Sequence, residues 1–179
     1  MNRKENNWRS ASDFSEIEMQ VRELKGWFES HGKTLGFAES CTGGLLSSWL
    51  TSQAGVSSFF RGSIISYSGK IKEKVLGVPR HILQCLGEVN LPVALCMAKG
   101  ARKVLEVDWA LSITGVAGPT GGTKDKPLGF VCFALCGPGI DRVEQRYFDG
   151  KERMEVQFQS ASYGLELLLT TLNCEPKQK

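Results

Sequence analysis

Histidine is scarce in this sequence: His31 and His81 are the two it has in 179 residues. That argues against a zinc site and leaves a Ser-His-Asp triad few candidates. The six cysteines (Cys41, Cys85, Cys96, Cys132, Cys136 and Cys174) form no CxxC pair. A chain long enough for a full apolar core needs no disulfide framework, so they read as reduced, structural thiols, with Cys132 and Cys136 on one face of a strand. No apolar run approaches the ~20 residues of a membrane span, and Met1 to Phe14 is polar with no signal-peptide core, so neither a membrane nor an export route is expected and a cytoplasmic location follows. Basic residues are scattered, with Lys70, Lys72 and Lys74 the one dense group, and 22 Lys and Arg against 19 Asp and Glu give a net charge of +3. That is too little for a nucleic-acid stripe. Internal repeats and low-complexity linkers are also missing, which leaves one domain over 13–173 between flexible segments at 1–12 and 174–179.

Glycine is what the chain has in excess. Of its 20 glycines, 15 fall within 36–87 and 115–139. They follow no Gly-X-Y period and lie between apolar runs, so they mark places where backbone turns tightly or approaches something closely. With 41% hydrophobic and 23% charged residues the rest of the composition suits one packed core.

Phe14, Ile17, Val21, Leu24 and Phe28 step by three and four, which predicts a helix from Asp13 stopped at Gly32. A strand over 33–38 follows, then a helix through Leu45, Leu46, Trp49 and Leu50 closed by Gly55, and a strand from Arg61 to Tyr67. Ser68 is placed to cap a helix reaching about Leu76. Pro79 starts a short helix ending at Gly87, and Pro92 opens a longer one through Met97, Ala101 and Val104. Trp109 to Thr114 reads as a strand. Phe130 to Leu135, the most apolar strand, is predicted to be central, with Arg142 to Phe148 its edge partner across Gly137-Pro138-Gly139. A last helix carries Met154, Phe158, Ala161, Leu165, Leu168 and Leu172 on one face. Strands alternating with helices and ending in a hairpin predict an α/β fold, a mixed sheet covered by helices on both sides.

The polar cluster Glu39-Ser40-Cys41-Thr42-Gly43-Gly44 sits on a strand-to-helix turn. A serine there is presented at the end of the sheet with helix N–H groups behind it, and Gly43 and Gly44 let amides approach a substrate, as an oxyanion hole requires. The glycines lie on one side only, so this is not the G-x-S-x-G elbow. The same residues would also serve if Ser40 or Thr42 merely capped the helix. With histidine scarce, a nucleophilic serine would need a lysine as its base, and an unperturbed lysine at pKa ~10.4 is almost never neutral at pH 7, so the right one should be desolvated. On a helical wheel at ~100° per residue, with Lys70 at 0°, Ile71, Val75 and Leu76 span ~100° to ~240°. Lys72 at ~200° falls inside that arc, whereas Lys70 and Lys74 face solvent; the alternative for Lys72 is a packed stem whose head snorkels to water. Ser30-His31-Gly32-Lys33 matches S-x-x-K by letter but Gly32 breaks the helix that motif needs. The loop from Gly115 to Gly122 has neither dinucleotide-fingerprint nor P-loop spacing and reads either as an anion or ribose-phosphate loop, with Lys124 and Lys126 near, or as a plain wide turn.

Taken together, Ala-Glu-Ser-Cys-Thr-Gly-Gly (Ala38 to Gly44), Tyr67-Ser68 with Lys72 and Leu76-Gly77-Val78, and Gly-Val-Ala-Gly-Pro-x-Gly-Gly (Gly115 to Gly122) followed by Lys126-Pro127-Leu128-Gly129 resemble the CinA C-terminal domain family. The resemblance spans about residues 14–172. It implies a three-layer α/β/α sandwich, commonly a homodimer, acting as a nicotinamide-nucleotide amidohydrolase without metal or organic cofactor. By the same resemblance Ser40 is the nucleophile, Lys72 the general base and Tyr67 a neighbour of that dyad. Glu39, Thr42, Gly43, Gly44, Gly115, Gly118, Pro119, Gly121 and Gly122 match segments that contact the nucleotide. The implied reaction converts nicotinamide mononucleotide to nicotinate mononucleotide and ammonia. Three positions depart from the family pattern: Gly69 stands where Asn is usual, Asn90 where Ser is usual and Thr120 where Asp is usual. Each replaces a polar group that could orient substrate or dyad, which keeps a second reading open, a catalytically weak nucleotide-binding or partner-binding domain.

Overall fold

Ala11–His31 (α1) is the helix predicted from the three-four apolar step, and it begins two residues inside the segment expected to be flexible. The computed structural model describes residues 11–150 and 152–174; the remainder of both predicted flexible ends lies outside the described residues. After α1 come Leu35–Glu39 (β1), Leu45–Thr51 (α2), a single 3-10 turn, Phe60–Ile65 (β2), Gly69–Leu76 (α3), Arg80–Leu86 (α4), Leu91–Val104 (α5), Trp109–Gly115 (β3), Phe130–Gly137 (β4), Ile140–Tyr147 (β5) and Arg153–Asn173 (α6).

The five strands form one mixed sheet in the order β2-β1-β3-β4-β5. β1 runs parallel to both β2 and β3, whereas β4 and β5 continue antiparallel. Leaving β1, the chain first steps outward to β2 and then crosses back to β3. Crossovers of one hand in opposite directions put their helices on opposite faces. On one face Leu35, Phe37, Trp109, Leu111, Ile113, Val131, Phe133 and Leu135 pack under α1, α2 and α6. On the other, Ala38 and Ala110 meet Leu76, Val93, Met97 and Ala101, and Cys132, Ala134 and Cys136 pack against Ala94 and Ala98 of α5. The period of two in each strand thus feeds two cores, which makes the α/β/α sandwich.

All eight residues of β4 are buried. Its apolarity reflects cover on both faces and not a middle place, because the central strand is β3 and β4 lies beside it. β5 alternates and is the edge, as expected. Met154, predicted on the buried face of α6, is half-exposed at its first turn, and Val156 takes the core position instead. The cysteines are all free thiols, and Cys132 and Cys136 share one buried face.

Candidate active site

The three parallel strands end on one side of the sheet, with Ser40 directly after β1, Ser66 and Tyr67 after β2, and Gly115 closing β3. β1 and β3 are neighbours from which the chain departs in opposite directions, the position where open α/β sheets form a crevice at the strand C-termini. A cleft of about 230 Å³ lies there, and Ser40, Lys72, Tyr67, Gly115, Gly118 and Gly121 line it together with Cys41, Glu88, Thr114, Thr120 and Arg153. A wider groove of about 820 Å³ lies at the other end of β3, where Lys99 and Arg102 line it. Those cations are engaged, Lys99 with Asp141 at 2.6 Å and Arg102 with the Gly137 carbonyl at 3.2 Å. Ser40 and Lys72 are in the smaller cleft.

Lys72 is only 1% exposed. α3 delivers it there because Ser68 caps the helix by accepting from the Ile71 N–H and Leu76 anchors the same side, whereas Ile71 and Val75, which the wheel put in the apolar arc, are partly exposed. Lys72 Nζ donates to Ser40 Oγ at 3.0 Å, to the Ser66 carbonyl at 2.9 Å and to Glu88 Oε2 at 3.4 Å. The snorkelling alternative is therefore excluded, since the head group is inside. Burial pushes Lys72 below its ordinary value of 10.5; the Glu88 carboxylate, and more weakly Cys41, oppose that.

The turn that presents Ser40 is built on Glu39. Its side chain is wholly buried, on the same face of β1 as Leu35 and Phe37, which is the face that α2 covers. Oε2 accepts from Thr42 Oγ1 at 2.8 Å, Gly44 N at 3.0 Å and Leu46 N at 3.2 Å. Oε1 accepts from Ser47 N at 3.0 Å, from the Ser47 hydroxyl and from Ser63 Oγ at 3.3 Å. The first turn of α2 is thus capped from beneath by a carboxylate, and neither Ser40 nor Thr42 caps it through its own side chain. The Gly43 N–H donates to the Ser40 carbonyl at 3.1 Å. The amides of Gly43 and Gly44 are therefore spent inside the turn, and their left-handed backbone (φ 64° and 99°) explains the glycines. Glu39, Thr42, Gly43 and Gly44 do not line the cleft; they hold its floor. Cys41, next to the serine, is a poor nucleophile, because burial pushes its thiol up to about 12.

The Gly115 to Gly122 loop forms the facing wall. Gly115 is tight against β4, where an added Cβ would stand 2.7 Å from Val131 Cγ2. Gly118 has a left-handed φ of 86° and precedes Pro119 through a cis peptide bond. Pro119 is exposed and Gly122 packs against Leu128, so neither lines the cleft. Lys126 Nζ donates to the Leu86 carbonyl at 2.6 Å, which ties the loop to α4. Arg153, at the first turn of α6, closes the remaining side by donating to the Gly118 carbonyl at 2.6 Å and to the Tyr67 hydroxyl. One turn on, Gln157 donates to the Cys41 carbonyl at 2.8 Å. Sequence reasoning missed Arg153 and Glu88. The 86-residue separation of Tyr67 and Arg153 carries no local pattern, whereas Gly69 held a clue to Glu88. Among the described residues no cluster of three or more His, Cys, Asp or Glu could hold a metal ion, and no helix is long and apolar enough to cross a membrane.

Residues 18–172 match the family model described as the CinA C-terminal domain. The chain belongs to the CinA C-terminal domain family. A CinA-like protein of Synechococcus sp. (strain RCC307) is 42% identical over 159 residues, covering 88% of this chain and 37% of the relative. A CinA-like protein of Trichormus variabilis is 46% identical over 141 residues, covering 78% and 34%. The chain thus spans about a third of the length of these curated relatives. Among solved structures, a competence-damaged protein (CinA) superfamily protein from Escherichia coli superposes with a TM-score of 0.84 at 30% identity, covering 96% of this chain and 99% of that one. The competence/damage inducible protein CihA from Agrobacterium tumefaciens does so with a TM-score of 0.81 at 34% identity, covering 88% and 95%. The CinA fold is therefore the three-layer sandwich expected from the sequence.

Proposed function

We propose that this CinA domain is a serine/lysine amidohydrolase that deamidates nicotinamide mononucleotide, or a closely related pyridine nucleotide, to the nicotinate form and ammonia. The observation that carries the reading is the 3.0 Å contact between a buried Lys72 Nζ and Ser40 Oγ. Desolvation favours the neutral amine, which is the state a base needs. Neutral Lys72 takes the Ser40 hydroxyl proton while Oγ attacks the carboxamide carbon. The C–N bond then breaks as Lys72 returns that proton to the departing nitrogen, releasing ammonia and leaving an acyl ester on Ser40. Water, deprotonated by the same lysine, adds to the ester, and the carboxylate leaves as Ser40 recovers its proton. Arg153 at the cleft mouth supplies a cation for an anionic group on the substrate, and Tyr67, 60% exposed and held by Arg153, forms the rim of the cleft. In this reading the role for Tyr67 is to shape substrate entry.

The experiment measures ammonia release from nicotinamide mononucleotide by the wild type, Ser40→Ala and Lys72→Ala. Turnover by the wild type with loss of at least ~10³-fold in both variants is expected. Equal rates in all three would refute the reading. The second reading, a weak nucleotide-binding domain, draws on the Glu88 contact, which favours the ammonium over the free amine. It predicts a thermal shift with pyridine nucleotides and no ammonia.

A further inference from the structure

Lys72 has three hydrogen-bond partners: Ser40 Oγ, the Ser66 carbonyl and Glu88 Oε2. An ammonium fills all three as donor. A neutral amine has two N–H groups and one lone pair. With the Ser66 carbonyl and the Glu88 carboxylate taking the two hydrogens, the lone pair is left facing the Ser40 hydroxyl. With the carbonyl alone, the amine can rotate about the Cε–Nζ bond and the lone pair is not fixed.

The backbone at Glu88 is anchored beside the cleft, while its side chain is about half exposed. Its carbonyl accepts from Thr114 Oγ1 at 3.0 Å, and the Asn90 side chain donates to the preceding Gly87 carbonyl at 2.8 Å. Its carboxylate also depends on Gly69. A Cβ at residue 69 would stand 2.7 Å from Glu88 Oε1 and 3.0 Å from its Cδ. Gly69 has no positive φ to require glycine. A side chain at residue 69 would have to displace the Glu88 carboxylate from its present position.

We propose that Glu88 is a positioning residue and counter-ion for Lys72, housed in room that Gly69 leaves, and that the pair sets both the aim of the lysine and the pH at which it becomes a base. The proposal deepens the serine/lysine reading and rests on it for its kinetic part. Of the groups around Lys72, the β1 to α2 turn offers Ser40 and the protonated Cys41 thiol, β2 leads to Ser66 and Tyr67, β3 offers Thr114 and α6 offers Arg153 across the cleft. Lys70, Glu73 and Lys74 of its own helix and Arg80 of α4 line an outer groove that Glu88 also borders, so the carboxylate faces these charges as well as Lys72. Among the described residues that line the cleft, Glu88 is the one carboxylate. Its negative charge favours the ammonium, so removing it releases the free amine at lower pH.

The test titrates the protein labelled with ¹³Cε-lysine by NMR, with the Lys72 resonance assigned by its loss in Lys72→Ala. Glu88→Gln keeps an acceptor and removes the charge; Gly69→Asn displaces only the tip of Glu88, so the fold is retained. Both should move the Lys72 midpoint to lower pH than in the wild type, and an unmoved midpoint in both overturns the counter-ion role. In ammonia release, Glu88→Gln should raise kcat/KM about tenfold on the acidic limb of the profile. Glu88→Ala should lower the alkaline plateau of kcat several-fold, and a wild-type plateau there overturns the positioning role. Should the wild type release no ammonia, the amidase reading fails while the NMR titration still decides the role of Glu88 as counter-ion.

Discussion

Replacing Glu39 by Gln tests whether the turn that presents Ser40 is held by a buried acceptor. All six groups around the carboxylate are donors: three backbone N–H groups (Gly44, Leu46, Ser47) and three hydroxyls (Thr42, Ser47, Ser63). A glutamine keeps one oxygen and turns the other end into a donor. Its best orientation leaves the oxygen on Gly44 and Leu46 and the NH2 on the Ser47 and Ser63 side, because hydroxyls can rotate to accept and an N–H cannot. One N–H, that of Ser47, then loses its partner at about 1–3 kcal/mol, and the three bonds kept, from Thr42, Gly44 and Leu46, lose their charge assistance at about 0.5–1 kcal/mol each. The loss comes to roughly 2.5–6 kcal/mol, or a fall in Tm of about 5–25 °C for a domain of this size. Thermal unfolding followed by circular dichroism reads the drop, and amide exchange should accelerate first at Gly44, Leu46 and Ser47. A Tm within 2 °C of wild type would show that the turn stands without its acceptor.

Two further substitutions separate stability from function. Lys72→Met should abolish ammonia release; it removes a desolvated amine but also leaves the Ser66 carbonyl and the Glu88 carboxylate without their donor. Lys72 lies below its ordinary 10.5 when folded, so the unfolded chain binds more protons between the two values and wild-type stability climbs with pH across that window; the Tm of Lys72→Met relative to wild type should fall as pH rises toward 10.5, and a difference independent of pH would contradict the burial of the amine. Arg153→Ala should raise KM for an anionic nucleotide at least ~10-fold while leaving kcat within about threefold, since its guanidinium sits at the mouth and not at Ser40. A loss confined to kcat would move Arg153 into the chemistry.

The parts of this protein that were legible in its sequence are those whose cause is local. The three-four step of Ile17, Val21, Leu24 and Phe28 specifies α1 because each of those side chains is buried on one stripe. Lys72 was legible for a related reason: three lysines at spacing two cannot all face solvent on one helix, and Leu76, four residues on, marks the buried side. The wheel erred on Ile71 and Val75 because a helix of eight residues touches its neighbours on a narrow arc. Glu39 was matched to substrate contact, although the alternation of Leu35, Phe37 and Glu39 already aimed it beneath α2. What could not be read locally is what the folded chain brings together, Arg153 of α6 against Tyr67 and Glu88 against Lys72.

The departures from the family pattern change meaning once they are placed in space. Asn90 keeps a helix cap: its Oδ1 accepts from the Val93 N–H at 2.8 Å at the start of α5, a task asparagine performs at least as well as the usual serine. Gly69 taken alone is a lost polar side chain, whereas beside Glu88 it makes room for a carboxylate on Lys72. The two positions are then one change, because an asparagine at 69 and the present conformer of Glu88 cannot share the same space. That coupling has a direct consequence for mutagenesis. If Gly69→Asn acts only by displacing Glu88, its effect on Lys72 titration should vanish in a Glu88→Ala background, and the double-mutant cycle should show strong non-additivity. Additive effects would mean that residue 69 acts on Lys72 by a route of its own.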